Sequence, residues 1–192
     1  ITIWPMYRAM CQLGFTPDQF GTYTVALSDH NTRIHISGPI GFGISRDVEN
    51  LLEENSGVDA LVLDSPGGWV WEGRALADVV RGRQLDTYSI RGCGSACTIA
   101  FLAGRRRIIS PQAHLGFHRY KSEWEELGFQ LDVEKQHQID RRAFIEAGVT
   151  PEFVAKAFAT PNDQLLTAST EELISAGVIH GTIGDDGLAS TP

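Results

Sequence analysis

Positive charge is scarce in this chain. Its 16 Lys and Arg face 24 Asp and Glu, for a net charge of −8. That balance argues against nucleic acid or an anionic membrane surface as a partner. The one basic cluster, Arg105-Arg106-Arg107, is too short to change this and reads as a solvated helix exit, where cations complement the dipole. Long apolar runs are missing as well: none approaches the length of a membrane span. No internal repeat or low-complexity segment is visible. Cysteine is rare, with three residues. Cys93 and Cys97 stand four apart and Cys11 is distant, and a C-x-x-x-C without a second ligand pair is a poor zinc signal. The pair reads either as two small buried thiols or as a disulfide, and a disulfide would suit an oxidising compartment. His30, His35, His137 and His180 lack ligand spacing. His114 and His118 point to one face of an expected strand, a weak metal hint, and no cofactor is expected.

What is present describes an ordinary globule. With 192 residues, 42% apolar and 21% charged, the chain can bury one real core but not two. It opens on Ile1 rather than Met and is read as a processed or truncated product, from which a signal or anchor could have been removed. Residues 1–30 are expected to be an N-terminal appendage and 31–192 a single domain.

Strand and helix patterns alternate along that domain. Arg33-Ile34-His35-Ile36 reads as a strand with a turn at Gly38-Pro39-Ile40-Gly41. A helix from about Ser45 to Asn55 places Val48, Leu51 and Leu52 on one face and stops at Gly57. Val58 to Leu63 is a buried strand that runs into Asp64-Ser65-Pro66-Gly67-Gly68. Leu76, Val79 and Val80 mark a helix, Leu85 to Ile90 a strand, and Ser95 to Ala103 another helix. Short strands follow at Arg107-Ile108-Ile109 and His114 to Phe117. A long helix is expected over 122–147, a helix start at Thr150-Pro151-Glu152, and a last helix near Thr170 to Ala176. Val178-Ile179 closes the pattern as a strand. This alternation implies an α/β fold with a mostly parallel sheet.

Three features sit at strand ends, where ligand sites of such sheets gather. Pro66-Gly67-Gly68 allows close backbone approach to a substrate. Ser95 lies in a small-residue turn, Arg91-Gly92-Cys93-Gly94-Ser95-Ala96-Cys97-Thr98, at a helix N-terminus. There a serine can attack a carbonyl while the N–H of Ala96 holds the developing oxyanion. A serine at that position is also a common helix cap. The third feature is His118, in Gly116-Phe117-His118-Arg119-Tyr120.

In this order and on this scaffold, the three resemble the Clp protease proteolytic subunit and its ClpP/crotonase-fold relatives. The matching residues are Asp64 to Gly68, then Gly94-Ser95-Ala96 with the Ala100 to Gly104 helix, then Gly116-Phe117-His118. A branch of predicted periplasmic Clp-like proteins, with its Cys-x-Ser-Ala-Cys turn, is the nearest likeness. The resemblance spans roughly Arg33 to Gly184. It implies a ClpP/crotonase-like fold with repeated β-β-α units and flanking helices. It also implies a serine peptidase with Ser95 as nucleophile, His118 as general base, and Gly68 (or Gly67) with Ala96 as oxyanion hole. The segment Asn162 to Ala168 makes Asp163 the expected orienting acid, with Asp140 and Asp132 as weaker alternatives. Lys121 raises a Ser-Lys variant.

Trp69 and Trp71 read equally as an apolar substrate pocket or as cover for the next helix. Implied partners are a peptide or protein substrate, further copies of the chain, and an ATPase or membrane protein. The implied location is periplasmic or membrane-associated, with the cytoplasm as alternative. Two other readings compete: a crotonase-like acyl-CoA enzyme, and a non-catalytic ClpP-like assembly module.

Overall fold

Alternating isoleucines set the first buried strand. In the computed structural model, which describes residues 20–28, 30–120, 133–184 and 189–190, Ile34 and Ile36 are fully buried between half-buried neighbours. Strand β1 (Thr24–Ser28) pairs antiparallel with β2 (Arg33–Ser37). The sheet therefore begins inside the stretch expected as an appendage, because Val25 and Leu27 pack against the core. Residues 1–19 of that appendage lie outside the described residues.

Helix α1 (Ile44–Glu54) starts at Gly43, which is left-handed and offers no side-chain cap. Its first N–H groups are satisfied from elsewhere: Glu72 accepts from Gly43 N at 2.8 Å and from Ser45 N at 3.3 Å, and also from the Ser45 hydroxyl at 2.8 Å. Strand β3 (Ala60–Asp64) is buried at all five positions, as a strand covered on both faces must be. Helix α2 (Val70–Arg83) follows the glycine loop, and β4 (Asp86–Ser89) returns to the sheet. Then come β5 (Gly92–Gly94), α3 (Ala96–Leu102), β6 (Arg107–Ile109) and β7 (His114–Gly116).

Where a long helix is expected over 122–147, the described residues form α4 (Val133–Glu146), and 122–132 lie outside the described residues. In α5 (Pro151–Ala159) the Thr150 cap accepts from Phe153 N, and Ser169 and Glu172 form a capping box on α6 (Thr170–Ser175). Strand β8 (Gly181–Ile183) comes later than expected. Val178 and Ile179 are buried but turn their N–H groups to Leu173 O at the end of α6, so they close a helix rather than enter the sheet. β9 (Ala189–Ser190) is the last edge.

The main sheet runs β1-β2-β3-β4-β6-β8-β9, parallel from β2 to β8 and antiparallel at both edges. A second sheet pairs β5 with β7 in parallel and carries the chemistry-bearing segments. The basic cluster departs from expectation. Arg105 and Arg106 are exposed, but Arg107 is only 5% exposed and donates to the carbonyls of Gly177, Val178 and Gly104. Burial lowers its pKa to about 10. Its donors are used on carbonyls that the end of α6 would otherwise leave unpaired.

Candidate active site

The glycine-rich run from Gly92 to Gly94 forms β5 because a partner backbone lies close on both sides. Gly92 and Gly94 pair with His114 and Gly116 of β7, while Ser65 N donates to Gly92 O and Gly94 N donates to Ser65 O. The chain then turns sharply into α3, and Ser95 is the corner. Its φ of 51° and ψ of −125° lie where a non-glycine residue rarely sits. Such a conformation costs of order 1–3 kcal/mol and persists only where the surroundings hold it. Here Ser95 N donates to Gly116 O at 2.8 Å, and Ser95 O accepts from Thr98 N and Thr98 Oγ1. Cys93 and Cys97, buried at 1% and 0% exposure, are joined by a disulfide across the corner. The Ser95 hydroxyl makes no capping hydrogen bond, so the cap that a serine at this position usually provides is absent.

The glycine loop lies against this corner. A Cβ on Gly67 would stand 2.7 Å from Ser95 Cβ and 2.8 Å from Gly94 O, and Gly67 has a φ of 110°. No other residue fits there. Gly68 touches Ile40, and a Cβ on it would overlap the Ile40 carbonyl. Around Gly68 the backbone alternates: Ile40 N donates to Gly67 O and Trp69 N donates to Ile40 O. The Gly68 N–H therefore points away from Ile40, and no acceptor among the described residues takes it. Gly67 N, in contrast, donates to Ser65 Oγ at 3.2 Å. Of the two glycines, Gly68 is the one with a donor to spare. Ala96, at the first helical position of α3, has the second, since its N–H has no intrahelical partner.

His118 follows β7 directly and lines one small cavity of about 20 Å³ with Ser95, Ala96, Thr98 and Tyr120. Burial is the main influence on the ring and pushes its pKa below the ordinary 6.5, with the backbone of Arg119 and Asn162 pulling the other way. His118 Nδ1 is buried and has no hydrogen-bond partner among the described residues. Asp163 does not supply one. It is exposed at the corner of a turn closed by Gln164 N on Pro161 O, and no hydrogen bond joins it to His118. That turn is nevertheless tied to the His118 segment: Phe117 and Leu166 exchange two backbone hydrogen bonds, and Arg119 N donates to Thr160 O.

The alternative acid Asp140 is fully engaged elsewhere, with Arg74 at 2.8 Å on both oxygens and with the Tyr120 hydroxyl at 2.9 Å. Asp132 and Lys121 lie outside the described residues. Trp69 and Trp71 are not among the residues around the cavity; Val70 between them is. Trp69 is buried edge-on against Phe20, and Trp71 is exposed under the Arg74 guanidinium. Arg74 and Tyr120 themselves went unflagged in the sequence. Tyr120 carried a signal in its place two residues from His118.

No protein-family model matches the chain, and no curated protein is similar to it in sequence. Solved structures are similar in fold. ClpP1 from Listeria monocytogenes superposes with a TM-score of 0.65 at 20% identity, covering 82% of this chain and 94% of that one. A point mutant of ClpP1 from the same organism gives a TM-score of 0.66 at 20% identity over 81% and 94%. The chain has a ClpP-like α/β fold.

Proposed function

We propose that this chain is a serine peptidase acting through an acyl-enzyme on Ser95. The observation that carries the reading is the Ser95 corner. A strained serine whose hydroxyl caps nothing shares a cavity with a histidine, beside two backbone N–H groups without acceptors among the described residues. His118 in its neutral form takes the Ser95 proton as Oγ attacks the substrate carbonyl carbon. The carbonyl oxygen becomes an oxyanion held by the N–H groups of Gly68 and Ala96, each contributing about 3 kcal/mol. The proton then passes from His118 to the leaving amine, and water repeats the cycle on the ester. Asp163 orients the ring once its turn brings the carboxylate to Nδ1. The turn is joined to the His118 segment by the Phe117–Leu166 and Arg119–Thr160 backbone hydrogen bonds. Asp163→Asn should therefore slow acylation while Asp140→Asn acts through Arg74 and Tyr120.

One observation favours a second reading, in which the isolated chain is an assembly module with a latent site: His118 Nδ1 is unpartnered among the described residues and Asp163 is exposed. In either reading the chain assembles with copies of itself. Ile139 and Ile145 on α4 are 46% and 47% exposed and suit such a contact. The substrate is a peptide or protein, delivered by an ATPase or membrane partner. The disulfide suits an oxidising, periplasmic setting. Fluorophosphonate labelling of the protein as monomer and as oligomer separates the readings. An adduct on Ser95 supports the peptidase, and none in any assembly state leaves the module.

A further inference from the structure

Three elements around the cavity meet in one buried polar cluster that the reaction above does not use. Arg74 on α2 grips Asp140 on α4 with two parallel hydrogen bonds, from Nε and Nη2, each 2.8 Å. Its Nη1 donates to Gln136 Oε1 at 2.6 Å, and its Nη2 also donates to Gln136 O and to the Tyr120 hydroxyl at 3.1 Å each. Tyr120 donates in turn to Asp140 Oδ2 at 2.9 Å. The other end of Tyr120 is held as well: His137 Nε2 donates to its carbonyl at 3.1 Å, and the two rings meet edge to face at 4.5 Å. The Asp140 side chain is 2% exposed and that of Arg74 19%. A buried ion pair of this kind is poor value as a stabiliser, since desolvation offsets much of its attraction and apolar residues of equal volume do as well. What it supplies is direction, because the planar fork of Arg74 fixes both partners.

The directions it fixes are those of the site. Arg74 stands on the first turns of α2, directly after Gly67 and Gly68, and Tyr120 is two residues beyond His118. Tyr120 and Asp140 line the same cavity as Ser95 and His118. Among the described residues no carboxylate restrains the ring at Nδ1. We propose that Arg74, Asp140 and Tyr120 are positioning residues that set His118 against Ser95 from the strand side, the place of the base depending on this cluster rather than on Asp163 alone. The inference rests on the peptidase reading. Burial and charge both push the Tyr120 hydroxyl above its ordinary pKa, so it stays a neutral donor to Asp140 throughout the working range.

The test compares wild type with Tyr120→Phe, which removes one hydroxyl, and Arg74→Lys, which keeps the charge but loses the fork. Three readouts are taken: the rate of fluorophosphonate labelling at Ser95, the melting temperature, and the NMR titration of the His118 ring, assigned with His118→Gln. Tyr120 and Asp140 line the cavity with His118, Arg74 and His137 pack on them from α2 and α4, and Arg119 and Asp163 stand on the adjoining segments, so the titration is repeated in Asp163→Asn. A misplacement of about 1 Å costs about 100-fold in rate, so a ten- to hundredfold slowing is expected in both variants. The His118 titration is expected to move up towards 6.5 as water reaches a looser ring. Wild-type labelling rates with an unmoved titration in both variants would overturn the proposal. So would a large fall in melting temperature with rate and titration unchanged, which would make the cluster structural. If wild type itself gives no adduct, the peptidase reading fails, and the His118 titration alone decides the positioning role.

Discussion

Ser95 is held in a conformation that only its surroundings sustain, and single atoms near it should therefore matter. Gly67→Ala places a methyl group 2.7 Å from Ser95 Cβ at a φ of 110°. Either the loop or the corner must shift, and Ser95 labelling should fall by at least about 100-fold. A variant that labels like wild type would mean the loop does not touch the reacting atoms. His118 yields a pH prediction. Its folded pKa lies below 6.5 because burial penalises the charged ring, and only the neutral ring accepts a proton. The labelling rate should rise with pH, reach half its plateau below pH 6.5, and stay flat through neutrality. A midpoint above 6.5 would mean that Asp163 already meets Nδ1 in the free protein, before any movement of its turn.

At the scale of elements, the second sheet is braced at two points. The Cys93–Cys97 bridge closes a loop of about five residues, which the chain-entropy account values at about 2 kcal/mol. The double variant Cys93→Ser/Cys97→Ser should have a melting temperature roughly 4–8 °C below that of wild type. It should slow labelling by more than that loss explains, because the bridge spans the strained corner. The other brace is Asp64, at the end of β3. It accepts from the N–H groups of Ile90 and Arg91 at 2.8 Å each and from the side chains of Ser89, Arg91 and His35. Burial alone would raise its pKa, but these donors outweigh burial and hold it below 3.8. Its unfolded form therefore binds the proton more readily. The stabilisation is full above pH 3.8 and is lost as pH falls through the lower folded value. Asp64→Asn should cost about 1–3 kcal/mol at neutral pH and flatten the acid limb of the stability curve, read by urea unfolding.

Most of these elements were legible because apolar periodicity and turn chemistry agree locally, as in β3, α1 and the Thr150-Pro151 helix start. Val178-Ile179 misled because a buried apolar pair looks alike in a strand and at a helix exit. Arg107 misled because burial of a guanidinium depends on carbonyls some 70 residues away in sequence. At the site, Ser95, His118 and the glycine loop announce themselves by small residues at strand ends. The spare N–H of Gly68, the outward face of Asp163 and the Arg74 fork follow only from how distant segments pack.

For the molecule as a whole, the question is whether one copy carries a finished site. The cavity, the corner and the two spare N–H groups of Gly68 and Ala96 come from a single chain, while His118 Nδ1 and Asp163 are apart. Labelling per chain should therefore rise with assembly, and size-exclusion fractions of increasing mass should label progressively faster at equal chain concentration. Equal rates in all fractions would mean that the single chain is already complete. The most direct measurement is fluorophosphonate labelling of the assembled protein, with the adduct mapped by mass spectrometry in wild type and in His118→Ala. The account predicts one adduct per chain, on Ser95, that disappears without His118. Absence of an adduct in every assembly state, or an adduct that His118→Ala leaves unchanged, would contradict it.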